Sequence, residues 1–213
     1  MSHTSKVWDT YSPDKKMHFT PNNIYHIYNR GNDKQMVFFK RENYLYFLKK
    51  VRKYILPHCE VLSYCLMPNH FHFVVFTDER IEEPTRDSQI TTNKLSEGIR
   101  LLLSSYTKGI NVQEGKTGNL FQQKTKAKCL TEDLNMHYSE VCFHYVHQNP
   151  RTAKLVVKME DWEFSSFKDY TGLRKGTLCN QKIAYDLLNL NKVNFYQDSY
   201  NAIVSDQDLI SIF

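Results

Sequence analysis

The stretch EVLSYCLMPNHFHFVVF, residues 60–76, constrains this chain more than any other. Two apolar runs meet at Pro68-Asn69, a dipeptide that turns the chain tightly. Parallel neighbours would need a crossover of a dozen or more residues, and only two are present. Residues 60–67 and 70–76 therefore read as consecutive strands running in opposite directions. Residues i and i+2 of a strand share a face. His70, His72, Val74 and Phe76 thus point one way, while Phe71, Phe73 and Val75 point the other, towards covering helices.

The flanking segments extend this pattern. IYHIYNRGN (24–32) alternates, is rich in Ile and Tyr, and meets Gly31, as a strand followed by a turn does. In 41–56, Leu45, Leu48, Val51, Tyr54 and Ile55 recur at helical spacing until Pro57. After a long polar connection over 77–93, residues 94–110 are helical by period. A loop with Gly115 and Gly118 follows, and KTKAKCL (124–130) alternates as an edge strand would. Thr131 is a candidate N-cap, with Glu132 and Asp133 in a first turn where carboxylates suit the helix dipole. That helix runs LNMHYSEVCFHYVHQN and is expected to stop at Pro150. The order strand-helix-strand-strand-helix-strand predicts an α+β fold. It is the ferredoxin-like split βαβ (βαββαβ) antiparallel sheet, with helices on one face. The domain reading is an N-terminal arm at 1–21, a catalytic domain at 22–173 and a C-terminal helical extension at 174–213. In that extension, 183–190 and 205–213 have helical apolar spacing.

Composition excludes several classes. Five cysteines with no CxxC spacing argue against a disulfide framework or a Cys-rich zinc site and fit a reducing cytosol. The N-terminus lacks the apolar region of a signal peptide. No apolar run approaches the ~18 residues of a membrane span. A net charge of +5 permits a nucleic-acid partner without requiring one.

Two imidazoles adjacent on one sheet face can bind the same divalent ion and leave positions open for substrate. Nine histidines in the chain also make such a pair unremarkable: taken alone, it reads as two surface histidines, or as one held by a core hydrogen bond. No HExxH is present. In EVCFHYVHQNP (140–150), Tyr145 lies one turn after Val141, and Asn149 follows at i+4 on the same face. The residue before proline is pushed out of helical geometry, so Asn149 is expected just past the last turn. Taken alone, Tyr145 reads as a core tyrosine on the stripe of Leu134, Tyr138 and Val141. The cluster Lys49, Lys50, Arg52 and Lys53 reads as a solvated helix face.

Taken together and in order, these segments resemble the REP-associated tyrosine transposases. Those are single-tyrosine insertion-sequence transposases of the HUH endonuclease superfamily, where U is a hydrophobic residue. IYHIYNRGN is similar to the family's first strand and Arg-Gly turn, and MPNHFHFVV to its strand-turn-strand with the histidine pair. LSSYTKGIN and KTGNLFQQKTKAK match its helix, glycine turn and basic strand. HYVHQNPRTAKLV and DWEFSSFKDY match its tyrosine helix and the Trp-Ser-Ser segment after it. The resemblance covers residues 24–170.

The resemblance implies roles for particular residues. Tyr145 matches the nucleophile. His70 and His72 match the metal-binding pair, with Asn149 completing a site for Mg²⁺ or Mn²⁺. Single-stranded DNA beside a hairpin is the implied substrate, with Arg30, Lys116, Lys124, Lys126 and Lys128 as candidate phosphate contacts. The unperturbed tyrosine pKa of ~10 leaves a role for a base, and His144 and His147 are neighbours in sequence. Phe121 and Tyr106 are candidates for base stacking, against an ordinary reading as core. The implied setting is the bacterial cytoplasm, on the nucleoid when DNA-bound, as a homodimer or a monomer. Rival readings are a DNA-binding regulator that has lost catalysis, a replication- or transfer-type nickase on the same sheet, and an unrelated HxH metal hydrolase.

Overall fold

A computed structural model describes residues 17–81, 93–131 and 136–212. Most of the expected N-terminal arm, most of the 77–93 connection, and Glu132 and Asp133 lie outside the described residues. The first part of the chain forms β1 (Asn23–Arg30), α1 (Arg41–Tyr54), β2 (Glu60–Met67), β3 (His70–Thr77), α2 (Lys94–Glu114) and β4 (Lys126–Cys129). The tyrosine helix is α3 (Met136–Thr152). The short α4 (Phe167–Tyr170), α5 (Gln181–Leu188), α6 (Phe195–Asn201) and α7 (Asp206–Ile212) follow.

The four strands form one sheet in the order β2-β3-β1-β4. Every neighbouring pair is antiparallel, so each crossover, through α1 and through α2, skips one strand. This is the expected split βαβ topology. The Pro68-Asn69 turn is held from outside: Pro68 O accepts from Val37 N at 2.8 Å, and Asn69 O from Gly31 N at 2.8 Å. Those bonds fix the end of β3 that carries His70 against the exit of β1.

One face of the sheet packs on α1 and α2. Phe47 of α1 meets Phe71 and Phe73 with ring centroids 5.3 and 6.4 Å away, and Tyr106 of α2 at 4.9 Å. Helix α2 continues past residue 110, to Glu114, and ends where Gly115 takes a left-handed φ of 62°. That conformation suits glycine because it lacks a Cβ.

Helices on one face describe α1 and α2 but not α3. Helix α3 lies across the opposite face, against β2 and β3. The physical reason is that this second face is apolar too: Cys65, Met67 and Val74 are buried on it, and an apolar sheet face must be covered.

The DWEFSSF stretch closes the outer edge of β2. Leu66 N donates to Phe164 O at 2.9 Å, Ser166 N to Tyr64 O at 3.0 Å, and Trp162 Nε1 to Leu66 O at 3.1 Å. The unpaired groups of an edge strand are thereby satisfied. Arg174 locks this segment down, donating to Glu163 O and Ser165 O at 2.7 Å each and to the buried Asp169 carboxylate at 2.6 Å. The C-terminal helices then pack beside β2 and α3. Among the described residues no helix is long and apolar enough to cross a membrane.

Candidate active site

Strand pairing sets the site. Residues directly opposite in an antiparallel pair share a face. His72 pairs with Cys65 on one side and Tyr28 on the other, and Tyr28 pairs in turn with Lys126. One step along, Val74 pairs with His26 and His26 with Lys128. One step the other way, His70 pairs with Arg30. A single face thus carries His70, His72, His26, Tyr28, Arg30, Lys126 and Lys128.

Helix α3 covers the β2–β3 half of that face and brings Tyr145 to it. The Tyr145 ring lies 5.7 Å from the His72 ring and 6.4 Å from the His26 ring, edge-on to both. His70 and His72 are 5.0 Å apart and nearly perpendicular. Tyr145, His70 and His72, remote in sequence, converge. Asn149 is one turn along the same helix, and its Nδ2 donates to Tyr145 O at 2.8 Å.

Helix α3 does not stop before Pro150 but runs through it to Thr152. Proline's missing N–H removes one bond in the final turn, and Ala153 N to Asn149 O and Leu155 N to Pro150 O, both 2.9 Å, hold that turn. Asn149 is therefore a helical residue rather than one past the end.

Each histidine of the pair is oriented through one ring nitrogen. His70 Nδ1 donates to Asn69 Oδ1 at 2.6 Å, and a 2.9 Å hydrogen bond joins His72 Nδ1 to His26 Nε2. This is how ligating imidazoles are normally held, with the other nitrogen directed at the metal. Burial, with Arg30 adding repulsion, lowers the His70 pKa to about 4. Burial and the neighbouring His70 and His26 push His72 well below its ordinary value. Both imidazoles are neutral at physiological pH, the state that binds metals. Among the described residues no three His, Cys, Asp or Glu side chains gather to hold an ion. What the described residues bring together here is a pair of neutral imidazoles, with the Asn149 side chain one helical turn from Tyr145; two imidazoles alone fit a weakly held ion that keeps open positions.

Tyr145 is half-buried. Burial raises its pKa well above 10, the adjacent Cys142 adds to the shift, and a side-chain hydrogen bond with Asn149 opposes it. The two histidines nearest it in sequence are bonded elsewhere. His144 Nδ1 bonds Ser199 Oγ of α6 at 3.0 Å, and His147 Nε2 bonds Ser166 Oγ at 2.7 Å. Both rings point into the C-terminal packing, among Phe143 and Phe195.

The basic residues divide into two groups. Arg30, Lys126 and Lys128 lie on the histidine face, as the strand registers show. Lys116 and Lys124 line a cleft beside α2. Phe121 and Tyr106 are buried core, as their ordinary reading holds. His26 and Tyr28 join the site although neither was singled out from sequence. The signal was there in β1, where His26, Tyr28 and Arg30 alternate onto one face; what it lacked was the pairing partner.

No protein-family model matches the chain, and no curated protein matches it. Among solved structures, a REP-associated tyrosine transposase bound to a REP hairpin is similar in fold. Its TM-score is 0.54 at 15% sequence identity, over 76% of this chain and 86% of that one. The likeness is a distant relationship of fold, of the α+β type carrying a four-stranded antiparallel sheet.

Proposed function

We propose that this chain is a metal-dependent DNA transposase or endonuclease. In this reading it cleaves and rejoins single-stranded DNA beside hairpins through a covalent phosphotyrosine on Tyr145. The observation that carries the proposal is the convergence of Tyr145 with the His70–His72 pair on one sheet face. Support comes also from the fold shared with a transposase solved on a hairpin.

Tyr145 Oη attacks the scissile phosphorus. One P–O bond forms to the tyrosine, and the P–O bond to the departing strand end breaks. The tyrosine proton leaves, and the departing end takes up a proton to become a hydroxyl. Bond energy is kept in the phosphotyrosine, so a strand end can reverse the attack without ATP. A Mg²⁺ or Mn²⁺ ion held by His70, His72 and Asn149 would polarise a phosphoryl oxygen and offset developing negative charge. The chain's own residues do the rest. Asn69 and His26 orient the imidazoles, Asn149 fixes the last turn under Tyr145, and Arg30, Lys126 and Lys128 bind strand phosphates. Burial raises the Tyr145 pKa further above its ordinary value, so the hydroxyl must give up its proton in the course of the attack.

The test is a denaturing gel of protein mixed with hairpin-flanked single-stranded DNA and Mn²⁺. A shifted protein–DNA band is expected from the wild type, lost with Tyr145→Phe and with chelator. Binding without any band, across varied hairpins, would leave a DNA-binding regulator; a band that survives Tyr145→Phe would assign the wrong tyrosine.

A further inference from the structure

On the α2 side of the sheet lies a cleft of about 1230 Å³ between α2 and the segment 115–125. Among the described residues its lining holds Arg100, Lys108, Lys116 and Lys124 and no aspartate or glutamate. Arg100 pairs with Glu97 at 2.6 Å, and Lys108, Lys116 and Lys124 are exposed. The far wall is built rather than loose. Gly115 and Gly118 turn the chain back at φ of 62° and 89°, and Asn111 Nδ2 fastens the turn by donating to Gly118 O at 2.9 Å. The segment then bonds the strand that carries Arg30: Gln122 N donates to Arg30 O at 2.8 Å, and Asn32 N to Leu120 O at 3.0 Å.

We propose that this cleft is a second DNA-contact site. It would seat the sugar-phosphate backbone of the single strand that leads from the hairpin to the scissile phosphate. The proposal rests on the DNA-processing reading above and extends it to a surface on the other side of the sheet. The charge complementarity is that of a polyanion, because the described lining presents cations and amides and no carboxylate. Bases are not read here: the one aromatic among the described lining residues, Phe121, is buried at 5% exposure and packs against Tyr106 and Phe71, so it offers no face for stacking.

A single strand, not a duplex, fits the path. The cleft opens on the α2 side of the sheet, whereas Lys126 and Lys128 point to the catalytic face. Lys124 stands at the entry to β4, the sheet's edge strand. A backbone passing from Lys116 and Lys124 to Lys126 must turn around that edge within a few residues. Duplex DNA, with a persistence length of about 50 nm, resists such a bend; a single strand does not.

The test measures binding without metal in a Tyr145→Phe background, by fluorescence anisotropy over a salt series. One hairpin carries a single-stranded flank and the other does not. Three phosphate contacts on a single strand contribute about 2 to the slope of log K against log salt, at about 0.7 each. The triple variant Lys108→Ala/Lys116→Ala/Lys124→Ala is expected to lose about that much slope on the flanked hairpin and none on the blunt one. Lys49→Ala/Lys53→Ala/Lys175→Ala, at exposed positions outside the cleft, removes the same three charges and retains the slope. Unchanged affinity and slope on the flanked hairpin overturn the proposal, as does an equal loss on both hairpins, which would assign the cleft to the stem. A wild type that forms no Tyr145 adduct while the variant loses slope sinks the catalytic reading and leaves the cleft standing. An adduct with an unchanged slope does the opposite.

Discussion

His26 Nε2 and His72 Nδ1 are 2.9 Å apart, in a hydrogen bond between two buried imidazoles on neighbouring strands. If His72 binds metal through Nε2, its Nδ1–H donates to His26 Nε2, which fixes both the tautomer and the ring plane. His26→Phe removes that acceptor and is expected to weaken Mn²⁺ binding by about 10- to 100-fold, with His26→Asn recovering part of it. Free Mn²⁺ measured by electron paramagnetic resonance, on hairpin DNA complexes of the Tyr145→Phe protein, reads this without turnover. Equal Mn²⁺ affinity in His26→Phe would show that the pair only packs the core.

Asn149 combines two tasks. Its Nδ2 bond to Tyr145 O is structural, and its carboxamide is the third donor in the proposed metal set. Asn149→Ala is expected to cost about 1 kcal/mol of stability, the net value of one hydrogen bond. It should also reduce adduct yield at low Mn²⁺ far more than at high Mn²⁺. A loss of yield that no Mn²⁺ concentration restores would mean that Asn149 positions Tyr145 only.

The C-terminal helices hold α3 through buried neutral histidines, which makes stability pH-dependent. Burial lowers the His144 pKa to about 4, with Asp198 opposing, and pushes His147 well below its ordinary value. The unfolded chain binds protons near pH 6.5 while the folded one refuses them. His144 therefore contributes stability above about pH 6.5, lost as pH falls from there towards 4, on the order of 3 kcal/mol in all. Thermal melts at pH 7.5, 6 and 5 should show a steady drop, and His144→Asn, which keeps a polar partner for Ser199, should flatten it. Parallel curves for the two proteins would remove His144 as the cause.

Arg174 is the partner of a carboxylate with a side chain only 2% exposed, Asp169. Arg174→Ala strands that charge and is expected to cost about 3–5 kcal/mol. Arg174→Met with Asp169→Leu should recover most of the loss, because the buried charge goes with its partner. Chemical denaturation of the two variants separates these outcomes; equal loss in both would point to the backbone bonds from Arg174 to Glu163 and Ser165 instead.

By itself the sequence determined the elements and their order. The Pro68-Asn69 turn, the alternation of β3 and the helical periods of α1 and α2 are local, so their physics is written in adjacent residues. The same locality put His70 and His72 on one face and Tyr145 and Asn149 on another. Only the tertiary structure decided what those faces meet. Helix α3 lies opposite α1 and α2 because the second sheet face is apolar as well, and a sheet's two faces are not distinguishable until its strands are paired. His26 entered the site for the same reason: an alternating strand shows which residues share a face but not which neighbour it will face. The destinations of His144 and His147 were set by Ser199 and Ser166, residues whose approach depends on how the C-terminal helices pack. Lys116 and Lys124 parted from Lys126 and Lys128 because β4 is an edge strand, and a chain that rounds an edge divides its charges between two sides of the sheet.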